Sequence, residues 1–528
     1  MNEETRDEDS DIDQCLSEVI GKPKDDSHKY VIIPEMSDPV DILFVKPGDH
    51  KQIYQDLGNE FSAIEPPAFA GLFATYSRLK KYRVAIFDVP AMKLSAEQAV
   101  KGILENYDPV LVALIVYGLQ PSASTQNMAS AGKVARFIKE QSPDTKILMT
   151  GTHPAALPSR TMREEAVDFV CDLEGPVTIH KVAQALKEGA TDFSKIPSLW
   201  WRDDSGQIIP PKSAEPLIKD LDHELPGIAW DLMFMDKYRA HNWHCFTHID
   251  DRSPYVSIHT SLGCPYNCSF CCINAPFGKP SYRLWSPECV VREIDFLVET
   301  YGVKNIKFVD EMFVLNRKHV LGICDLLIQR DYQVNIWAYA RVDTIQEDML
   351  EKLKAAGINW LALGIESSST HVRNGAEKKI RNSDIRDVVR RVKDAGIYII
   401  GNYIFGLPDD SLERMQNTLS LALDLKCEFA NFYSAMAYPG SSLYDVALEK
   451  KIKLPETWAG YSQHSYETLP LANEFCAASE ILAFREHAFK SYFTHKPYLD
   501  MIRQKFGGEV VDHINRMISI PIRRKLLE

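Results

Sequence analysis

Short, nearly unbroken apolar runs alternate with helical segments in two separate blocks of this 528-residue chain. A strand that is apolar at every position must be covered on both faces. Parallel sheets flanked by helices meet that demand; antiparallel sheets with one wet face do not. In the first block the runs lie at 40–45, 83–88, 111–117, 146–151 and 168–171. Helical segments at 66–79, 95–107, 124–141 and 177–187 fill the intervals, the second opened by Ser95 as its cap. The pattern predicts a doubly wound α/β sheet, in which ligands bind beyond the carboxyl ends of the strands.

In the second block six strand signals, at 255–260, 305–309, 334–340, 360–365, 398–405 and 429–436, are separated by amphipathic segments such as 347–356 and 385–395. Six strand–helix units predict a parallel open or closed barrel with its active site at the carboxyl ends of the strands. Between the blocks, 191–250 reads as an irregular linker, with a hairpin at 198–209 turning at Asp204-Ser205-Gly206. The region from 456 onward reads as helical and rich in aromatic residues.

Just after the first strand of the second block lies Cys264-Pro-Tyr-Asn-Cys268-Ser-Phe-Cys271-Cys272. Three thiolates spaced x3 then x2 on a short loop can hold three corners of a cubane iron–sulfur cluster, which normally takes four cysteines. With three ligands, one iron keeps an open position for substrate chemistry. Cys272 adjoins Cys271, and adjacent thiols rarely reach one metal. A structural zinc site is the alternative, although zinc sites usually show paired CxxC or Cys/His spacing. His241, His244, His248 and Cys245 also look metal-binding, but no paired ligand segment accompanies them, which favours a linker with satisfied polar contacts.

Composition narrows the function further. The net charge is −13 and the pI about 5.7, which disfavours nonspecific nucleic-acid binding, since that depends on Lys and Arg at phosphates. Much of the acid excess sits in residues 1–29, a run poor in apolar groups that reads as a disordered head and not as a secretory signal. No apolar run reaches the ~18 residues of a membrane span. Eleven cysteines scattered through a large chain suggest a reducing cytoplasmic setting.

The cysteine motif, with Phe270 before its third thiol, resembles that of the radical S-adenosylmethionine (radical SAM) enzymes, and other segments agree. Phe308-Val-Asp310-Glu311 resembles the acidic element that meets the SAM amino group. Gly364-Ile-Glu366-Ser367 resembles the element near the SAM ribose, and Gly401-Asn-Tyr-Ile-Phe-Gly406-Leu-Pro408 the glycine segment near the adenine. Pro439-Gly440-Ser441 resembles a turn common in one large branch, whose members carry an N-terminal cobalamin-binding domain. Pro66-Pro67-x3-Gly71, Thr150-Gly151-Thr-His153-Pro154 and Asp168 to Pro176 resemble that domain, and Leu221 to Asp231 its linker. The sequence departs from the family in having Leu262 where Arg is common, and in lacking the Asp-x-His-x-x-Gly signature of histidine-ligated cobalamin.

The resemblance implies an α/β fold with a disordered head at 1–29 and a doubly wound, Rossmann-like cobalamin-binding domain at 30–190. A linker at 191–250, a partial (βα)6 radical SAM barrel at 251–455 and a helical C-terminal region at 456–528 would follow. It implies a [4Fe-4S] cluster on Cys264, Cys268 and Cys271. SAM would be held through Asp310, Glu311, Arg341, Gly364, Glu366, Gly401 and Gly406, and cobalamin would lie beside Gly151 and His153. The implied reaction is methylation of an unactivated carbon in a small biosynthetic intermediate, with electrons from a flavodoxin or ferredoxin type of donor. Ring formation or oxidation, as in the anaerobic magnesium-protoporphyrin ester cyclase, is a second reading. A non-enzymatic cobalamin or iron–sulfur sensor is a third, but it needs a partner or DNA-binding module that the sequence does not display. Each residue also has a plainer reading: a surface turn for Asp310 and Glu311, an ion pair for Arg341, close packing for the glycines and a loop cap for His153.

Overall fold

A computed structural model describes residues 39–528, apart from 119, 379 and 381–383. The acidic head and Cys15 therefore lie outside the described residues. Strands β1 (Ile42–Lys46), β2 (Val84–Asp88), β3 (Leu111–Ile115), β4 (Ile147–Thr150) and β5 (Phe169–Cys171) pair in parallel in the order β2-β1-β3-β4-β5. Helices α1 (Ala68–Leu79), α2 (Ala96–Asn106), α3 (Pro121–Gln141) and α4 (Pro176–Lys187) cover the two faces. All five residues of β3, at the centre, are buried, as its unbroken apolar run requires. Ser95 and Gln98 close a reciprocal capping box that fixes the start of α2.

The structure departs from the linker expectation here. β6 (Leu199–Arg202) and β7 (Ile208–Ile209) form the expected hairpin, but β6 also pairs antiparallel with β5, so the sheet has seven strands and not five. Trp201 is buried against Phe193, itself packed on Phe169, and that burial draws the hairpin onto the sheet edge.

The second sheet contains β8 (Tyr255–Ile258), β11 (Asn305–Phe308), β12 (Asn335–Arg341), β13 (Ile358–Glu366), β14 (Tyr398–Phe405) and β15 (Phe429–Ser434). They pair in parallel in chain order, and β8 and β15 remain unjoined, so the barrel is open. A small antiparallel pair, β9 (Ser261–Leu262) with β10 (Arg283–Leu284), brackets the cysteine loop. The linker supplies the floor: Trp243 meets Trp337, Trp360 and Phe429 at ring separations of 5.0, 5.7 and 5.8 Å. Helix α5 (Ala478–Phe493) lies outside β14 and β15, followed by α6 (Lys496–Phe506) and α7 (Gly508–Ser519).

Segment 53–69 of the first block lies along the open side of the barrel. Ile64 bridges to Arg239 near the floor, Glu65 meets Tyr255 of β8, and Phe69 reaches His259 just beyond β8. Towards β15, Gln55 donates to the His464 carbonyl and Ser462 to the Ile53 carbonyl. Gln463 in turn donates to and accepts from the Ser434 backbone, covering exposed polar groups of this edge strand. No described helix is long and apolar enough to cross a membrane.

Candidate functional site

The cysteine loop is held from its periphery. Gly263 has φ +86°, and a Cβ there would come within 2.6 Å of the Ser281 carbonyl oxygen, so only glycine fits this turn. The Ser269 backbone donates to Ala376 and accepts from Leu443, at 3.1 and 2.8 Å. Phe270 anchors the loop in an apolar cluster with Val372, Leu407 and Ala435. Gly440 packs over the following segment, where a Cβ would lie 2.9 Å from Ala275 and 3.0 Å from Ala156 in the short helix that follows β4.

Cys264 is buried and Cys268 and Cys271 are half-buried; none forms a disulfide. Burial pushes the Cys264 thiol up to about 12 and raises the other two. Such thiols ionise when positive iron replaces their protons. Among the described residues no three His, Cys, Asp or Glu side chains converge on a point suited to a single ion. A cubane does not need that convergence, because each thiolate binds a different corner.

The neighbouring residues divide into three groups. Glu311, half-buried at the end of β11, lies beside Cys264, Cys271 and Cys272, and burial holds its carboxyl up near 8. Arg341, at the end of β12, stacks its guanidinium 4.2 Å from the Tyr266 ring inside the cysteine motif and pairs with Asp343 at 2.9 Å. Glu366, with φ +61°, forms a buried ion pair with Lys378 beside Gly364, and both charges influence Cys268. These residues surround the loop.

Asp310 has a different position from the one its motif implies. It is 1% exposed, and its carboxylate accepts from the Thr260 backbone, the Thr260 hydroxyl and the Ser261 hydroxyl. It therefore fastens the strand leading into the cysteine loop, with its acceptors engaged. Gly401 faces outward: a Cβ would meet the Tyr403 ring at 2.8 Å, and Tyr403 stacks on Phe432 beneath α5. Gly406, φ +83°, packs against Ile481 of α5. In that strand Ile404, on the opposite face, packs against the same apolar cluster as Phe270.

In the first sheet the chain turns one way from β1 to β2 and the other way to β3, making β1/β3 the switch point where α/β sheets bind ligands. An open cleft lies there, lined by Lys46, Gly48, Phe69, Tyr117, Gln126 and His241 among others. Gly151 sits nearby with φ +148°, where a Cβ would collide with the Val116 carbonyl. His153 does not line the cleft. It is 1% exposed, its Nδ1 lies 3.2 Å from the Thr125 hydroxyl, and its ring packs edge-on to Trp458. Burial lowers it to about 3, marking a neutral packing histidine.

The carboxyl ends of the two sheets face each other. Gln120, beyond β3, donates to the Tyr339 hydroxyl of β12 at 3.2 Å, and Arg283 of β10 pairs with Glu174 beyond β5 at 2.7 Å. Lower in the barrel, Lys307 is 1% exposed on its side chain and pairs with Glu65 at 2.9 Å. Burial alone raises a carboxyl, yet Lys307 and its cationic neighbours hold Glu65 below its ordinary value. Neither residue is part of the motif-based site. A lysine inside the otherwise apolar run Ile306-Lys307-Phe308-Val309 was the available signal. In the histidine-rich segment, His244 Nε2 lies 3.0 Å from the Asn335 carbonyl, and Cys245 contacts Asn305.

A profile of the radical SAM superfamily matches residues 258–422. The uncharacterized methyltransferase PH0819 of Pyrococcus horikoshii is 31% identical over 424 residues, covering 80% of this chain and 86% of its own. The anaerobic magnesium-protoporphyrin IX monomethyl ester cyclase of Rubrivivax gelatinosus is 24% identical over 87% of this chain and 78% of its own. Among solved structures, the radical SAM methyltransferase TsrM of Kitasatospora setae, with cobalamin and a [4Fe-4S] cluster bound, superposes with a TM-score of 0.66. That match covers 91% of this chain and 98% of TsrM at 15% identity, a likeness of fold.

Proposed function

The chain belongs to the radical SAM superfamily of enzymes, and from that premise we propose that it is a cobalamin-dependent C-methyltransferase acting on a small biosynthetic intermediate. One observation carries this reading. The cysteine loop leaves the carboxyl end of β8, and a cleft occupies the switch point of a second sheet whose carboxyl ends face it. The relatives support it: PH0819 is named a methyltransferase, and TsrM is a methyltransferase with both cofactors bound.

The residues fit both groups. Cys264, Cys268 and Cys271 would hold three irons of a [4Fe-4S] cluster, leaving the fourth for SAM. The cleft joins apolar walls to a few polar groups, the usual make-up of a cofactor site. When bound, cluster and SAM supply a carbon-centred radical and cobalamin supplies the methyl group. Around them, Glu311 would accept from the SAM ammonium, and Arg341 would pair with its carboxylate. Glu366, fixed by Lys378, would accept from the ribose hydroxyls, with Gly364 leaving room beside it. Gly406 would shape the adenine side through the turn after β14. Asp310 is a positioning residue, acting through Thr260 and Ser261. Gly151 would shape the floor of the corrin site, while His153 and Gly401 serve packing. The electron comes from an external donor of the flavodoxin or ferredoxin type.

Anaerobic reconstitution with iron, sulfide and hydroxocobalamin tests the reading. About four irons per chain, one corrin, and 5′-deoxyadenosine on adding SAM and reductant are the expected results. With methyl-deuterated SAM, label must leave SAM and appear in product. SAM cleavage without label transfer would favour radical ring formation or oxidation, the reading encouraged by the cyclase match across 87% of the chain.

A further inference from the structure

His259 ends the run Tyr255-Val-Ser-Ile-His259, five residues before the first cysteine of the loop. Its side chain is buried, at 9% exposure. The ring meets Phe69 edge-on at 4.9 Å, and Phe69 stacks on Tyr117 at 4.0 Å. Phe69 and Tyr117 both line the switch-point cleft. His259 does not itself line the cleft; its imidazole stands behind Phe69, on the barrel side of the two rings.

Its Nδ1 is buried and has no hydrogen-bond partner among the described residues. A buried, unsatisfied polar group costs about 1–3 kcal/mol, a cost removed when a ligand supplies the partner. The adjacent Thr260 cannot serve, since its backbone N–H and hydroxyl are committed to Asp310. Burial and the nearby Lys307 ammonium keep the ring neutral, with its pKa lowered to about 3. A neutral imidazole presents one donor and one acceptor. It complements a neutral carboxamide, which presents the same pair, and adds no charge for an anion.

We propose that His259 is a cobalamin contact, hydrogen-bonding from the barrel side to a carboxamide arm at the rim of a corrin seated against Phe69 and Tyr117. The proposal rests on the cobalamin reading above and assigns a barrel residue to a site otherwise built from the first sheet.

The test is a titration of cluster-loaded protein with hydroxocobalamin under anaerobic conditions, followed by the absorbance of the bound corrin. His259→Phe keeps a ring but removes both nitrogens. It is expected to weaken corrin binding about 5- to 10-fold, the value of one net hydrogen bond. His259→Asn places an amide donor and acceptor at the position of Nδ1 and should stay within about 2-fold of the parent. Iron content should be unchanged in both. If His259→Phe does not accumulate as folded protein, His259→Leu, which also lacks both nitrogens, takes its place with the same expected loss. Equal corrin affinity in the parent and the nitrogen-free variant, with iron intact, overturns the proposal. A parent protein that binds no corrin overturns the cofactor reading itself, a distinct result.

Discussion

Two short segments gather metal-binding residue types, and the fold sends them to opposite ends of one barrel. The run 264–271 leaves the carboxyl end of β8, where the strand is over and the backbone is free to loop around a ligand. The run 241–248 precedes β8, at the amino ends of the strands. There Trp243 fills the floor and His244 is bonded to the first residue of β12. The difference teaches that residue type proposes a metal site and strand polarity decides it. Both ends of a barrel can bury cysteine and histidine, but only the carboxyl end offers loops not already committed to closing the core.

The sharpest way to break this comparison is to remove a thiol from each end. Cys268→Ala is expected to abolish SAM cleavage and lose the cluster, whereas Cys245→Ala keeps about four irons. Iron and sulfide analysis of the two reconstituted variants decides it, and loss of iron from Cys245→Ala would mean that the floor also holds metal. Next in size is the floor itself. Trp243→Ala should cost about 3–5 kcal/mol of stability, measured by denaturant unfolding.

Lys307 and Glu65 join the two blocks halfway up the barrel. Lys307→Met leaves a largely buried carboxylate without its cation and should cost about 2–3 kcal/mol, discounted for the partial exposure of Glu65. The double variant with Glu65→Gln should recover most of that loss; no recovery would show that the lysine acts through its contact with the Trp337 ring and not through Glu65.

The smallest effect concerns pH. Glu293 accepts from the Ile228 backbone and the Trp230 indole, tying the linker to the barrel, and burial raises its carboxyl to about 7. Its folded value exceeds its unfolded value, so the folded protein retains a proton that the unfolded chain releases. Its contribution is full below pH ~4.5 and is lost as pH rises towards 7. Glu293→Gln should flatten the fall in melting temperature between pH 5 and 7.5, by on the order of 1 kcal/mol. An unchanged slope would place the proton elsewhere.

Much of the fold was legible. The eleven parallel-strand signals, the hairpin and the capped helix starting after Ser95 follow from periodicity and short-range chemistry. The sheet's extension by the hairpin was not legible, because pairing of β6 with β5 depends on aromatic burial between separate segments. The candidate site divides in the same way. Glu311 and Arg341 come to lie beside the loop of Cys264, Cys268 and Cys271. Asp310 is adjacent to Glu311 in sequence, yet alternation at the strand end turns one carboxylate into the Thr260–Ser261 backbone and the other toward the thiols. His153 fits its motif in sequence but is covered by Trp458, from a segment far along the chain.

The sequence by itself determined the order and polarity of the strands and the spacing of the three cysteines, because these depend on contacts between near neighbours. Only the tertiary structure decided that segment 53–69 closes the open side of the barrel. The same is true of Glu65 meeting Lys307, 242 residues away, and of His259 Nδ1, buried behind Phe69 without a hydrogen-bond partner among the described residues. Those outcomes depend on which buried polar groups find partners once both blocks pack together, and local pattern carries no record of that pairing.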